Sequence, residues 1–159
     1  RYEGRPQRAL SLRVRQEVQA VPRPPGLIRV AAGILRDARG RILIAQRPPG
    51  GHVGGFWEFP GGKLQPGESP AEALVRELHE EIGIRVEAAT PFMAYRHDYP
   101  ERSVELHVFL VERYTGEPRG VEGQPLRWVA LAGLPSAGLL EADLPIAEEL
   151  ARRLPLSRS

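Results

Sequence analysis

Cysteine is absent from the 159 residues. That excludes disulfides, thiolate metal sites and a cysteine nucleophile, and it fits a reducing compartment such as the cytoplasm. Lysine is almost absent too: Lys63 is the only one, so arginine carries the positive charge. Arginine binds phosphate well, but a coding bias toward arginine explains most of this skew. Neither sign of charge dominates, at a net +2, so nothing demands a nucleic-acid polymer as partner. No apolar run approaches the length of a membrane span. The first residues are polar and basic without an apolar core, so no secretory signal is expected. The chain opens on Arg1 rather than Met, which leaves a longer parent protein open.

What is present is an ordinary globular composition, 42% hydrophobic and 26% charged, in a length that suits one domain. Residues 1–26 form an Arg/Pro-rich extension that ends on Pro22, Pro24, Pro25 and Gly26. Inside it Leu10, Leu12, Val14 and Val18 alternate with polar residues, a weak strand pattern. The extension is expected to dock on its own domain or on a neighbouring chain, and the oligomeric state stays open.

Residues 27–159 read as the folded domain. Residues 27–36 and 41–47 look like strands, joined at the Asp37-Ala38-Arg39-Gly40 turn as a hairpin. A Gly-rich loop follows over 48–55, with His52 a candidate phosphate contact, then a short aromatic strand over 56–59. Residues 69–82 make the clearest helix. Ser69 suits the N-cap, Pro70 the first turn and Glu72 the third position of a capping box. Ala71, Leu74, Val75, Leu78 and Ile82 form an apolar stripe, and Gly83 is placed to stop the helix. Further strands are expected over 91–97, 103–114 and 126–130, and a last helix over 144–154. The order implies an α/β (α+β) fold, a mixed sheet sandwiched between helices.

The polar face of the first helix carries Glu77, Glu80 and Glu81 at i, i+3 and i+4. Like charges at that spacing cost a helix on the order of 0.2–0.5 kcal/mol per pair. Taken alone, such a triplet is more often a solvated surface than a site. As a cluster of hard oxygen donors, it also suits Mg²⁺ or Mn²⁺. Its frame decides between the two. Gly62, five residues, Glu68, seven residues, then Arg76-Glu77-Leu78-His79-Glu80-Glu81-Ile82-Gly83-Ile84 resembles the Nudix box at every defining position.

That resemblance implies a metal site made by Glu77, Glu80 and Glu81 with the backbone of Gly61 or Gly62. Arg76 would brace the glutamates, and Glu68 would support the loop and helix together with Gly62. Water would attack a phosphorus of a diphosphate bridge. Glu77 is the first candidate for the general base and Glu122, in the loop 120–124, the second. A Nudix domain that only binds nucleotide is the contrasting class, but such domains often lose box glutamates and this chain keeps them all.

Outside the box, Trp57-Glu58-Phe59-Pro60-Gly61-Gly62-Lys63, Gly116-Glu117-Pro118 and Glu122-Gly123-Gln124-Pro125 followed by Trp128 resemble the MutT type, which removes 8-oxo-dGTP from nucleotide pools. The likeness covers about residues 28–154. It implies that Glu122 is a further metal ligand and that Arg47, Phe59, Arg102 and Asp143 lie by the nucleotide. The substrate would then be a nucleoside triphosphate, with ADP-ribose and dinucleoside polyphosphates less favoured. Asp143 departs from the Asn of the type's best-studied bacterial form. Ionised, it can only accept hydrogen bonds, from N7–H or the N1–H and N2–H₂ side of oxidised guanine or equally from the amine of cytosine; protonated, it could imitate Asn. Hydrolysis of CTP or a modified dCTP is therefore the rival reading. Asp143 could equally be the N-cap of the last helix.

Overall fold

The structure is a computed structural model that describes residues 26–51 and 53–154. The strand pattern and docking expected of residues 1–25, and the phosphate contact considered for His52, lie outside the described residues. Strands β1 (Leu27–Ile34), β2 (Ile42–Gln46), β3 (Trp57–Glu58) and β4 (Gly61–Lys63) precede helix α1 (Pro70–Ile82). The long strands β5 (Arg85–Asp98) and β6 (Ser103–Thr115) follow, then β7 (Leu126–Val129), two 3-10 turns (Leu131–Ser136 and Glu141–Asp143) and helix α2 (Leu144–Arg153).

The strands form two sheets, in the orders β4-β1-β6-β5 and β3-β2-β7. The expected hairpin of residues 27–36 and 41–47 therefore does not form. Both edges of β1 are already taken, antiparallel by β4 and parallel by β6. After Ile34 the chain leaves that sheet, and β2 pairs instead with β3 and β7. Only an isolated bridge between Arg36 and Ile42, and the Leu43 amide donating to the Leu35 carbonyl, join the two. The turn itself is present: the Asp37 carboxylate accepts the amides of Arg39 and Arg41. Gly61-Gly62-Lys63, which the flexible Gly-Gly-Lys sequence suggests as a turn, is a further difference. It is a strand, paired with Val30, Ala31 and Ala32.

Because side chains alternate along β1 and β6, the four-stranded sheet buries both faces. Ala31, Phe109 and Val111 pack with Leu74, Leu78 and Ile82 of α1. Ala32, Ile34, Leu106 and Val108 pack with Ile146, Ala147 and Leu150 of α2. Each fully buried Leu or Ile contributes on the order of 1.5–3 kcal/mol. The sheet thus lies between the two helices, as the sequence implies.

Helix α1 starts and stops at the expected residues. Ser69 and Glu72 form both halves of a capping box, and Gly83 ends the helix in the left-handed conformation. Its buried face is Ala73, Leu74, Leu78 and Ile82. Ala71 and Val75, expected in the stripe, are exposed. The stripe lies one residue round from the expected line, which turns Glu77 and Glu81 toward β4.

Candidate active site

One cleft of about 380 Å³ is lined by Glu77 and Glu81 of α1, Gly61 and Gly62 of β4, Glu58 and Phe59 beside them, and Asp143. Its walls are completed by Arg47, Arg102 and Tyr99, and its floor by Ile28, Val30, Val104 and Leu106. Glu58, Glu77 and Glu122 gather around Glu81, and Asp143 stands against the Phe59 amide.

The acidic end depends on glycine. A β-carbon on Gly62 would coincide with the Glu77 carboxylate, and one on Gly61 would overlap the Ala31 carbonyl of β1. Glycine at both positions lets the helix carboxylate and the strand backbone approach as no other residue allows.

Arg76 ties the carboxylates together. Its guanidinium donates to Glu68 at 2.6 and 2.8 Å, to Glu77 at 3.0 Å, to Glu80 at 3.2 Å and to the Lys63 carbonyl at 3.0 Å. This fork holds Glu68 well below the usual carboxylate range, at about 2. It also links the box loop to the helix, the bracing that the resemblance implies.

Glu81 is held differently. Its carboxylate accepts the Gly61 amide at 3.0 Å. Burial raises its pKa to about 8, against the pull of that amide, and the charges of Glu58, Glu77 and Glu122 raise it further. Several oxygen donors therefore share one place with too little positive charge among them. That donor set fits a hard divalent cation.

The set is not assembled as a cage. Among the described residues, no three His, Cys, Asp or Glu side chains converge as a ready-made metal site. Of the expected ligands Gly61, Glu77, Glu80, Glu81 and Glu122, the cleft lining includes Gly61, Glu77 and Glu81 and leaves out Glu80 and Glu122. The Glu80 side chain is 56% exposed and leans on Arg76. Glu122 is exposed on its loop. The physical reason is local: Glu77 and Glu80 accept from Arg76 and Glu81 from the Gly61 amide, rather than facing a like-charged neighbour.

Two residues that the sequence left without a role connect these pieces. The Gln124 amide donates to the Glu81 carbonyl and accepts the Glu122 amide, both at 3.0 Å. It pins the Glu122 loop to the end of α1, aided by the Val121 amide on the same carbonyl. Glu58 lies in the cleft with Arg47 at 3.2 Å, and burial raises its pKa despite that arginine. Neither residue repeats at a spacing that would mark it.

At the other end, Asp143 is 4% exposed and its carboxylate accepts the Phe59 amide at 2.9 Å. It stands at the N-cap position of α2, just before Leu144, but its side chain makes no cap hydrogen bond there. The cap reading is thereby corrected: the carboxylate has turned to the strand instead. Burial raises its pKa to about 7, with the Phe59 amide opposing, the Glu58 charge assisting and Arg47 opposing. Arg47, Phe59, Arg102 and Asp143, all expected by the nucleotide, share the lining. The remaining histidines lie elsewhere. His79 is exposed, His97 packs edge-on against Tyr99 and His107 sits 3.3 Å from Glu105.

Known proteins share this arrangement. The sequence profile of the NUDIX domain matches residues 31–149. The 8-oxo-dGTP diphosphatase of Escherichia coli (strain K12) is 40% identical over 125 residues, 79% of this chain and 97% of that protein. The CTP pyrophosphohydrolase of the same organism is 40% identical over 119 residues, 75% of this chain and 87% of that protein. A solved MutT structure, from work on Aliivibrio salmonicida and Vibrio cholerae, superposes with a TM-score of 0.70 at 39% identity. It covers 80% of this chain and 99% of its own. With the Arg76 to Glu81 face, the two approach glycines and a match across most of the domain, the chain belongs to the Nudix family.

Proposed function

We propose that this chain is a nucleoside triphosphate pyrophosphohydrolase of the MutT type. It converts 8-oxo-dGTP to 8-oxo-dGMP and pyrophosphate, a nucleotide-pool sanitation that supports DNA repair. The observation that carries the reading is one cleft lined by Glu77, Glu81 and Gly61 of the box together with the buried Asp143. A relative 40% identical over nearly its whole length is named for that reaction.

Glu77, Glu81 and the Gly61 carbonyl would hold Mg²⁺, or Mn²⁺, with Glu80 and Glu122 joining by turning toward them. The cation would acidify water and offset charge on the phosphates. Arg76 keeps Glu77 aimed through their hydrogen bond. Glu77, the first candidate for the base, takes the proton of a water whose oxygen bonds to phosphorus of the α–β bridge. The bond from that phosphorus to the bridging oxygen breaks, and the fragment that keeps the bridging oxygen leaves with the electron pair, giving the monophosphate and pyrophosphate. Arg47 and Arg102 offer positive charge along the cleft, while Phe59 and the floor exclude water from the base. With this reading go a cytoplasmic setting and no polymeric nucleic acid as partner.

One observation favours a second reading, hydrolysis of CTP or a modified dCTP. Asp143 is a carboxylate, an acceptor when ionised, and a relative 40% identical is named CTP pyrophosphohydrolase. The experiment is kcat/KM with Mg²⁺ for 8-oxo-dGTP, dGTP, CTP and 5-methyl-dCTP side by side. A large preference for 8-oxo-dGTP supports the first reading. A preference for the cytosine nucleotides replaces it with the second, and no turnover of any defeats both.

A further inference from the structure

The 3-10 turn that carries Asp143 is gripped from two sides. On one side Trp57 of β3 holds the chain just ahead of it, its amide donating to the Gly138 carbonyl and its carbonyl accepting the Leu140 amide, and the Phe59 amide donates to the Asp143 carboxylate itself. On the other side stand two tyrosines of β5 and its following turn. The Tyr95 hydroxyl donates to the Ala142 carbonyl at 2.6 Å, and the Ala142 amide donates to the Tyr99 hydroxyl at 3.3 Å. Both polar atoms of the residue preceding Asp143 are thus tied to phenol oxygens. Ala142 is 4% exposed, so these bonds act where water competes little.

The two tyrosines differ in one respect. Tyr99 lines the cleft, so its contacts mix support with direct contact to whatever binds there. Tyr95 does not line it; its ring packs against the core on the α2 side. Its hydroxyl reaches the Asp143 turn at the Ala142 carbonyl. We propose that Tyr95 is a positioning residue for base selection, its hydroxyl setting through the Ala142 carbonyl where the Asp143 carboxylate stands. This rests on the reading of Asp143 as the group that meets the base. A hydrogen bond of this length to a buried carbonyl is worth on the order of 1 kcal/mol. That equals about a fivefold change in an equilibrium, and it bears on Asp143 because Ala142 is its neighbour in the chain and Trp57 fixes Gly138 and Leu140 ahead of the turn.

Removing one oxygen, as in Tyr95→Phe, keeps the ring and its packing. The test measures kcat/KM with Mg²⁺ for 8-oxo-dGTP, dGTP, CTP and the base-less 2-deoxyribose 5-triphosphate. It compares the parent, Tyr95→Phe, Asp143→Asn and the double variant. The expected result is that Tyr95→Phe shrinks the ratio between best and worst nucleotide about threefold to tenfold. The change appears in KM, the base-less triphosphate is unaffected, and the double variant behaves as Asp143→Asn alone. An equal fall for all four substrates would reduce Tyr95 to a structural tyrosine and overturn the proposal. So would unchanged ratios in Tyr95→Phe when Asp143→Asn alters them. Ratios unmoved by Asp143→Asn would remove the base-reading role, and the proposal with it.

Discussion

The Phe59 amide and the Asp143 carboxylate meet at 2.9 Å across 84 residues of sequence. This contact makes the carboxylate part of the cleft wall rather than of the helix that follows it. Burial lifts the Asp143 pKa from 3.8 to about 7. The folded protein therefore holds that proton more tightly than the unfolded chain does. The resulting stabilisation is complete below the unfolded value and is lost as pH rises through about 7. Asp143→Asn should remove this loss. Urea midpoints of parent and variant should diverge, in the variant's favour, between about pH 5 and 8. A pH-independent difference would refute the assignment.

The same titration should reach selectivity. A protonated carboxyl can donate and accept like an amide, whereas the ionised form only accepts. The ratio of kcat/KM for 8-oxo-dGTP over CTP should rise as pH falls from about 8 to 6, and Asp143→Asn should flatten that profile. Parallel profiles in both proteins would sever base choice from this group.

How much of this was legible in sequence follows the distance between partners. Helix α1, its capping box and the face carrying Arg76 to Glu81 are local patterns, readable from spacings of three and four. The Arg76 to Glu68 pair, eight residues apart, came with the box. The pairing of β1 with β6 was hidden because a parallel partner lies far along the chain, and the short turn at Asp37 suggested a hairpin instead. Gln124, Glu58 and Tyr95 carry no periodic signal; their roles exist only once Glu81, Arg47 and Ala142 are brought to them.

Glu81 offers a direct trade between stability and activity. Burial, with the charges of Glu58, Glu77 and Glu122, raises its pKa to about 8 even though the Gly61 amide opposes the shift. Its contribution to stability is therefore present at low pH and lost as pH rises through about 8. With the metal removed by EDTA, Glu81→Gln should unfold at higher urea than the parent at about pH 9, the gap closing toward pH 4.5. With Mg²⁺, the same variant should lose at least about 100-fold in kcat. A variant that stays fully active would remove Glu81 from the metal site.

Arg76 should not tolerate a conservative change. Lysine keeps the charge but cannot serve Glu68, Glu77, Glu80 and the Lys63 carbonyl together from one planar fork. Arg76→Lys should lower kcat about 10- to 100-fold, with circular dichroism unchanged. Near-normal kcat would show that charge alone suffices.

Gln124→Glu keeps an acceptor for the Glu122 amide but loses the donor to the Glu81 carbonyl. The Mg²⁺ concentration for half-maximal rate should rise about tenfold. Calorimetric titration with Mn²⁺ should show the same weakening. Unaltered metal dependence would limit Gln124 to bracing the loop.

Phe59, Pro60 and Gly61 carry one further consequence. The Phe59 amide is bonded to Asp143 and the Gly61 amide to Glu81, and Pro60 between them has no amide hydrogen to offer. The chain bends at Pro60, and two residues span at most about 7 Å, so both carboxylates are tethered to one short segment whose covalent length limits how far apart their anchors can stand. Under the proposed reading the segment works as a caliper: a molecule that engages both carboxylates must match that separation, whatever its base.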